Sequence, residues 1–206
     1  MSRGQVFVLS GPPGVGKTSV RERVLAALPD LVYSVSLTTR PPRPGEVDGK
    51  DYHFVTRRQF EEKIARGEMA EYAEIFGNLY GTSAAVLRQT LEQGKDVFLD
   101  IDVDGARGVH WFFKQAVLIF LLPPSLEELE RRLRARGTES EDQIQRRLAR
   151  VRYELGRAEG YTHLVLNQQL DQAVQDVLCI IRAERLRTER TLEEHRRRLG
   201  IEPLVS

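Results

Sequence analysis

The sequence is poor in the features that define several classes of protein. None of its apolar runs approaches the roughly 18 residues that a membrane-spanning helix needs. Its 31 basic and 30 acidic residues leave a net charge of +1, too small for a protein whose main task is to grip a nucleic-acid backbone. With 41% hydrophobic and 30% charged residues among 206, the chain is typical of a soluble globular protein of one or two domains. Membrane-spanning, collagen-like and disordered classes are therefore excluded.

Cysteine is nearly absent as well. Cys179 is the only one in the sequence, so an internal disulfide is excluded, and its apolar neighbours predict that it packs in the core. Residues 1–4 lead into an apolar stretch without the hydrophobic segment of a signal peptide. We therefore expect a cytoplasmic protein that does not bind a membrane.

Lysine is scarce, and the basic residues are mostly arginine. The planar guanidinium group suits bidentate recognition of phosphate. Composition can also raise the arginine content for reasons unrelated to function, so we assign roles only to arginines that lie within motifs.

Short apolar runs alternate with helix-length amphipathic stretches, which predicts an α/β fold with a parallel sheet covered by helices. The expected strands are residues 5–10, 32–36, 96–101, 116–122 and 163–166. Residues 38–49 are rich in Pro, Arg and Gly, which predicts a functional loop rather than a regular helix. Residues 171–198 have a long helical pattern whose charged end is typical of a solvated face.

Helix boundaries are marked by capping residues. Three pairs have capping-box spacing and predict helix starts: Thr56 with Gln59, Ser125 with Glu128, and Ser140 with Gln143. Three glycines follow helical stretches at expected C-terminal positions: Gly67, Gly94 and Gly137.

A nucleotide-binding motif follows the first expected strand. It fits G-x-x-x-x-G-K-[ST] at every fixed position and consists of Gly11, Pro12, Pro13, Gly14, Val15, Gly16, Lys17 and Thr18. In such a phosphate-binding loop (P-loop), backbone N–H groups and the positive end of the next helix form an anion site. Lys17 is expected to reach the β- and γ-phosphates, and the Thr18 hydroxyl is expected to bind Mg²⁺.

A second anchor for the metal is expected after a neighbouring strand. Asp100 follows an apolar run, and Asp102 lies two residues further on, and since residues two apart in a strand share a face, both can face one cleft. Asp100 is expected to meet Mg²⁺, through water if not directly. An aspartate at a strand end is also a common turn former, which leaves the structural alternative open.

Three further stretches distinguish this chain from other P-loop proteins. They are residues 36–46 (SLTTRPPRPGE), residues 49–54 (GKDYHF) and residues 77–82 (GNLYGT). With the P-loop, they closely resemble the guanylate kinase family of P-loop nucleoside monophosphate kinases, over residues from about 4 to about 185. The resemblance implies phosphoryl transfer from ATP to GMP, with Mg²⁺ as cofactor.

The resemblance also implies a role for each matching residue. It places four residues on the phosphate of GMP: Arg40, Arg43, Tyr52 and Tyr80. It places four near the guanine base: Ser36, Glu71, Thr82 and Asp102, with Asp100 counted in the same GMP site. It adds Asn167 to the ATP-binding residues of the P-loop. Without the family, Glu71 would be interpreted as an ordinary surface carboxylate, and Arg40 with Arg43 could equally form a solvated basic loop or a phosphate site.

The resemblance further implies a lid over residues 126–156. Its expected catalytic arginines are Arg132, Arg136 and Arg147, which act with Lys17. Arg132 and Arg136 are one helical turn apart, and Arg147 follows the Gly137 break. The alternative is an exposed Arg/Glu surface. The expected organisation is one kinase unit: a core of residues 1–36 and 84–206, which includes the lid, and a GMP-binding insertion of residues 37–83.

Two residues depart from the family pattern. Pro13 stands where the family usually has Ser, at a variable position that leaves the backbone cradle intact. Asp104 stands where Gln is common. Its charge could alter Mg²⁺ binding or cap the following helix, and we expect the cap.

These observations predict an enzyme that converts ATP and GMP to ADP and GDP, with these nucleotides as its partners and no nucleic acid. Two alternatives are kept. A related P-loop kinase could act on another phosphorylated small molecule, although the guanine-facing residues argue against it. A non-catalytic interaction module is disfavoured by the intact P-loop. The oligomeric state is left open.

Overall fold

The computed structural model describes residues 4–135 and 141–200. In these ranges the strands are β1 (Val6–Ser10), β2 (Val32–Tyr33), β3 (Leu37–Thr38), β4 (His53–Phe54), β5 (Met69–Ile75), β6 (Asn78–Ser83), β7 (Val97–Asp100), β8 (Val117–Leu122) and β9 (His163–Leu166). The helices are α1 (Lys17–Ala27), α2 (Arg57–Ala65), α3 (Ala84–Glu92), α4 (Val103–Phe112), α5 (Leu126–Ala135), α6 (Glu141–Leu155), α7 (Leu170–Arg185) and α8 (Thr188–Leu199).

Five strands form a parallel sheet in the order β2-β7-β1-β8-β9, which confirms the predicted α/β fold. The central strand β1 pairs with β7 on one side and β8 on the other, with Val8 beside both Leu99 and Leu118. All five β1 residues are buried. Helices cover both faces of the sheet, so β1 can be apolar throughout, because its side chains are buried on whichever face they lie.

Side chains on the two faces of β1 pack into two different hydrophobic cores. Phe7 and Leu9 pack with Val20 of α1 and Val177 of α7. Val6 and Val8 point to the opposite face and pack with residues of α3 and α4. Alternate residues of a strand face opposite sides, so a five-residue strand anchors both helical layers.

A second sheet has the order β4-β3-β6-β5 and lies within residues 37–83. Helix α2 contributes Phe60 to a small core that includes Leu37 and Met69. The Thr56 hydroxyl accepts from the Gln59 amide and the Gln59 side chain accepts in return, which confirms the predicted capping box.

Other predicted boundaries are confirmed or corrected. The Ser125 hydroxyl accepts from the Glu128 amide, and Gly67 and Gly94 follow α2 and α3 with positive φ, as predicted. The strand predicted at 32–36 is shorter, because only Val32 and Tyr33 of that range are in register with β7. Ser140 and Gly137 lie outside the described residues.

The prediction of one long helix over residues 171–198 is wrong. Helix α7 ends at Arg185, and α8 begins at Thr188 after Arg187 adopts an extended backbone (φ −58°, ψ 140°). The core position predicted for Cys179 is also wrong, because the residue is exposed. Its neighbours Val177, Leu178 and Ile181 occupy the buried face of α7, and the rotation of about 100° per residue turns Cys179 to solvent.

Candidate active site

The P-loop connects β1 to α1 at the carboxyl edge of the parallel sheet. Gly16 has a φ of 100°, a left-handed conformation that strains other residues. A Cβ there would also lie 2.6 Å from Nδ2 of Asn167. The last glycine of the motif is therefore required by both conformation and space.

Asn167 braces this loop. Its side chain is 5% exposed and donates from Nδ2 to the carbonyl of Val15 at 2.7 Å. The residue follows β9, the edge strand next to β8. The structure thus places Asn167 against the backbone of the P-loop, where it fixes the loop's shape.

Lys17 and Thr18 open helix α1. The Lys17 ammonium donates to the carbonyl of Gly11 at 2.6 Å, so its side chain folds back across the loop. Thr18 is exposed in the first turn of α1. Both side chains lie where the loop's N–H groups and the helix dipole favour an anion.

Asp100 ends β7 beside Leu9 of β1. Its side chain is 8% exposed and lies 3.6 Å from the Arg21 guanidinium. Burial raises the pKa of Asp100, and the charges of Lys17 and Arg21 oppose this rise. The carboxylate therefore faces the P-loop lysine across the top of the sheet.

A cavity of about 230 Å³ lies between the P-loop and the second sheet. Its lining includes Lys17, Ser36, Tyr52, Glu71, Asp100 and Asp102. The structure thus brings together residues that the sequence analysis assigned to the P-loop, the metal and the base. Thr82 is fully buried behind them.

Glu71 is a buried carboxylate on β5, only 7% exposed. The Thr82 hydroxyl on β6 donates to its Oε1 at 2.6 Å. Burial raises the pKa of Glu71 to about 7, the Thr82 hydrogen bond opposes the rise, and the charge of Asp102 adds to it. The interpretation of Glu71 as an ordinary surface carboxylate is therefore wrong.

Asp102 caps helix α4 rather than extending β7. Its Oδ1 accepts from the Gly105 amide at 2.9 Å, and its backbone is extended (φ −78°, ψ 177°). The cap predicted for Asp104 is therefore wrong, because Asp104 already lies in the first helical turn. Asp104 instead accepts from Arg150 at 2.9 Å and from the Tyr153 hydroxyl at 2.8 Å.

Arg40 is held by Glu46. One guanidinium nitrogen donates to both carboxylate oxygens of Glu46, at 2.8 and 2.9 Å, and the backbone amide of Arg43 donates to the same carboxylate at 2.7 Å.

Tyr52 and Tyr80 pack edge to face, with their ring centres 5.9 Å apart. Burial and nearby Asp100 raise the pKa of Tyr52 to about 12, so its hydroxyl stays protonated and can donate.

Two of the three predicted lid arginines lie within the described residues, and one of them, Arg147, lines the P-loop cavity. Arg147, on α6, lines a cavity of about 610 Å³ together with Arg40, Arg43 and Tyr80. Arg132, on α5, donates to Glu128 one turn earlier at 2.8 Å. Arg136 lies outside the described residues.

Sequence reasoning missed three side chains at this site: Glu46, Arg150 and Glu154. Glu46 lies within the loop motif, and its six-residue distance from Arg40 could have suggested a pair. Arg150 is 48 residues from Asp102, within a helix rich in Arg and Glu, where no local signal marks it. Glu154 is 3% exposed, and its Oε2 has no hydrogen-bond partner among the described residues.

The chain resembles known proteins over nearly all of its length. A family model described as guanylate kinase matches residues 3–184. The guanylate kinase of Nitrosospira multiformis is 50% identical over 192 residues, 93% of this chain and 91% of that protein. A guanylate kinase of Thermus thermophilus is 50% identical over 188 residues, covering 91% of this chain and 85% of that protein. The crystal structure of guanylate kinase from Anaplasma phagocytophilum matches with a TM-score of 0.81 and 33% identity over 98% of both chains.

Proposed function

The chain belongs to the guanylate kinase family and is a phosphotransferase that converts ATP and GMP to ADP and GDP, and we propose that its cavity at the P-loop is where this occurs. One observation carries the assignment of the base site. A buried carboxylate, Glu71, lies in this cavity with its Oε1 fixed by Thr82. An ionised carboxylate pairs with the N1–H and N2–H₂ donors of guanine, whereas adenine presents an acceptor and a C–H there.

The P-loop binds the phosphates of ATP in this proposal. Backbone N–H groups of residues 11–18 and the start of α1 supply the anion site, and Lys17 leaves the Gly11 carbonyl to meet the β- and γ-phosphates. Asn167 supports the loop that holds them.

The phosphate of GMP lies against Arg40, Arg43, Tyr52 and Tyr80. The Arg40 guanidinium is oriented by Glu46 and lies 5.4 Å from the centre of the Tyr52 ring. Guanidinium forks and phenol hydroxyls supply donors to a phosphate dianion. The guanine side consists of Ser36, Glu71 and Asp102, which line the cavity with Asp100, and of Thr82, which is buried and bonded to Glu71.

Mg²⁺ fits the donors at the P-loop. The Thr18 hydroxyl and the Asp100 carboxylate are the hard oxygen ligands that Mg²⁺ prefers, and Asp100 would act directly or through water. Within residues 4–135 and 141–200, no group of three or more Asp, Glu, His or Cys could hold a metal ion. The ion would therefore be held largely by the phosphates of ATP. When bound, it neutralises charge on the transferring group.

No general base is needed for the transfer. The nucleophile is a phosphate oxygen of GMP, whose second pKa is about 6 as in other phosphate monoesters. Catalysis then consists of aligning two anions and neutralising them with Lys17 and the arginines Arg132, Arg136 and Arg147. Closure of the lid over the bound substrates would exclude water from the site.

The proposed organisation follows the two sheets. The insertion of residues 37–83 matches the span from the start of β3 to the end of β6, which supports its boundaries. Residues 1–36 and 84–206 form the core, with the lid at about 126–156.

We place the enzyme in the cytoplasm, with nucleotides and no nucleic acid as partners. No helix in the described part of the chain is long and apolar enough to cross a membrane.

A coupled assay of ADP release with GMP, AMP, CMP or UMP as acceptor tests this function. We expect turnover with GMP and only background ADP release with the other three. Equal turnover with AMP would contradict the guanine assignment. Background release with all four would favour the interaction module, which the intact P-loop opposes.

A further inference from the structure

Arg150 reaches three carboxylates from helix α6. One guanidinium nitrogen donates to Oδ2 of Asp102 at 2.6 Å and to Oδ2 of Asp104 at 2.9 Å, while Nε donates to Glu154 at 2.9 Å. The Arg150 side chain is 21% exposed, and those of Asp102 and Glu154 are 15% and 4% exposed. Charge-assisted hydrogen bonds this far from bulk water are stronger and more directional than surface ion pairs.

The guanidinium is itself held in place. It lies 4.8 Å from the centre of the Tyr153 ring, and the Tyr153 hydroxyl donates to Oδ1 of Asp104. Asp104 therefore joins Arg150 and Tyr153 through separate carboxylate oxygens. This network fixes the end of α6 to the first turn of α4, where Asp102 is the cap.

Asp102 is held on both of its oxygens. Its Oδ1 accepts from the Gly105 amide and its Oδ2 from Arg150. A Cβ on Gly105 would lie 2.8 Å from Oε2 of Glu71 and 3.2 Å from Oδ1 of Asp102, so the two carboxylates lie side by side. Each carboxylate oxygen has a second lone pair, which leaves capacity for a ligand donor.

Two neighbouring carboxylates repel each other unless a cation is present. Asp102 lies beside the buried carboxylate of Glu71, and the Arg150 guanidinium is hydrogen-bonded to its Oδ2. Loss of the guanidinium would remove the cation that is hydrogen-bonded to Asp102 and Glu154. Asp102 would then lose the donor that orients its Oδ2.

We propose that Arg150 is a positioning residue for guanine specificity, which holds Asp102 as an oriented acceptor for the exocyclic amino group of the base. This inference rests on the proposed function, in which Asp102 faces guanine. It adds a residue that has no part in the P-loop, the GMP phosphate site or the lid arginines. Arg150 also lines the cavity, and the role proposed for its cation is to orient Asp102.

The test compares GMP with inosine monophosphate, which lacks the exocyclic amino group. We expect Arg150→Gln to lower the ratio of kcat/KM for GMP to that for inosine monophosphate by about tenfold, as for one good base contact. The KM for ATP should stay unchanged. Arg152→Gln, an exposed arginine on the same helix, is the matched control and should keep the ratio.

Equal losses for both acceptors would show a merely structural role and overturn the proposal, as would an unchanged ratio. If circular dichroism shows that Arg150→Gln does not fold, the same acceptor ratio is measured for Arg150→Lys. It keeps the charge but not the planar fork, so we expect a smaller loss in the same ratio. An unchanged ratio in a folded Arg150→Lys would then count against the proposal.

Asp102→Asn separates this inference from the function on which it rests. If Asp102→Asn lowers the ratio and Arg150→Gln does not, only the role of Arg150 is wrong. If Asp102→Asn also leaves the ratio unchanged, the placement of Asp102 at the base is wrong and the inference fails with it.

Discussion

The Thr82 hydroxyl donates to Oε1 of Glu71 across two antiparallel strands, at 2.6 Å, and fixes the orientation of a carboxylate that is only 7% exposed. The hydrogen bond uses one acceptor position and leaves Oε2 beside Gly105 of helix α4. A charged group is therefore buried with one neutral partner, an arrangement that costs free energy unless a ligand supplies further donors.

Replacement of this carboxylate should affect GMP alone. Glu71→Gln keeps the shape but turns one acceptor into a donor that faces a guanine donor. We expect the KM for GMP to rise by about tenfold or more, because one bidentate base contact contributes about that much to discrimination. The KM for ATP should barely change. Steady-state kinetics with each substrate varied in turn measures both. An equal loss for ATP would remove Glu71 from the base site.

The raised pKa of Glu71 predicts a pH dependence. With a pKa of about 7 against an ordinary value of 4.5, Glu71 in the free enzyme takes up a proton as the pH falls below 7. The protonated group is a poorer acceptor, so the KM for GMP should rise from pH 8 to pH 6 in the wild type. The profile of Glu71→Gln, which also controls for protonation of GMP, should be flatter. Identical profiles would contradict this assignment.

The raised pKa of Glu71 also predicts how the stability of Glu71→Gln, relative to the wild type, depends on pH. Between pH 4.5 and about 7 the folded chain holds a proton at Glu71 that the unfolded chain has released, so folding loses stability as the pH rises through this window. Glu71→Gln cannot titrate. Its melting temperature relative to the wild type should therefore increase from pH 5 to pH 8. A difference independent of pH would show that Glu71 does not titrate in this range.

Lys17 should be needed for turnover and not for folding. Its ammonium contacts a backbone carbonyl of the loop, and in Lys17→Ala the buried Asp100 keeps Arg21 as its counter-charge. We expect kcat to fall at least about 10²- to 10³-fold, which is the effect of removing one neutral hydrogen-bond donor from a preorganised site. Lys95→Ala, at an exposed position, is the control. A folded Lys17→Ala with wild-type kcat would contradict phosphoryl transfer at this loop.

Arg147 should act on the transferring group more than on GMP binding. Arg147→Ala is expected to lower kcat by at least about tenfold with a smaller change in the KM for GMP, because the charge it meets develops during transfer. The same is expected of Arg136→Ala. Arg152→Ala should behave as the wild type. A raised KM for GMP with unchanged kcat would place Arg147 in the acceptor site instead.

Gly105→Ala should impair the guanine site. In an ordinary helix this change gains up to about 1 kcal/mol of stability. Here the new Cβ would lie 2.8 Å from Oε2 of Glu71, so that carboxylate must move. We expect a raised KM for GMP without a gain in melting temperature. Gly156→Ala, whose Cβ would approach other atoms no closer than 3.5 Å, should leave the KM unchanged.

Features that depend on near neighbours in the chain could be predicted from the amino-acid sequence. The parallel sheet followed from apolar runs spaced by helix-length segments, and the Thr56 box followed from a three-residue spacing. Backbone conformation and capping act over a few residues, so the pattern contains the information needed to predict them. The family could also be identified from the sequence, because each of its motifs is a continuous stretch of residues.

Which side chains share an environment depends on the assembled fold and could not be predicted. Burial changed Glu71 from an apparent surface carboxylate to a group with a pKa of about 7, and the rotation of α7 exposed Cys179. Arg150 meets Asp102 across 48 residues, and no local rule predicts that pair. Packing and electrostatics act through distances in space, which a sequence fixes only after the two sheets and their helices have been assembled.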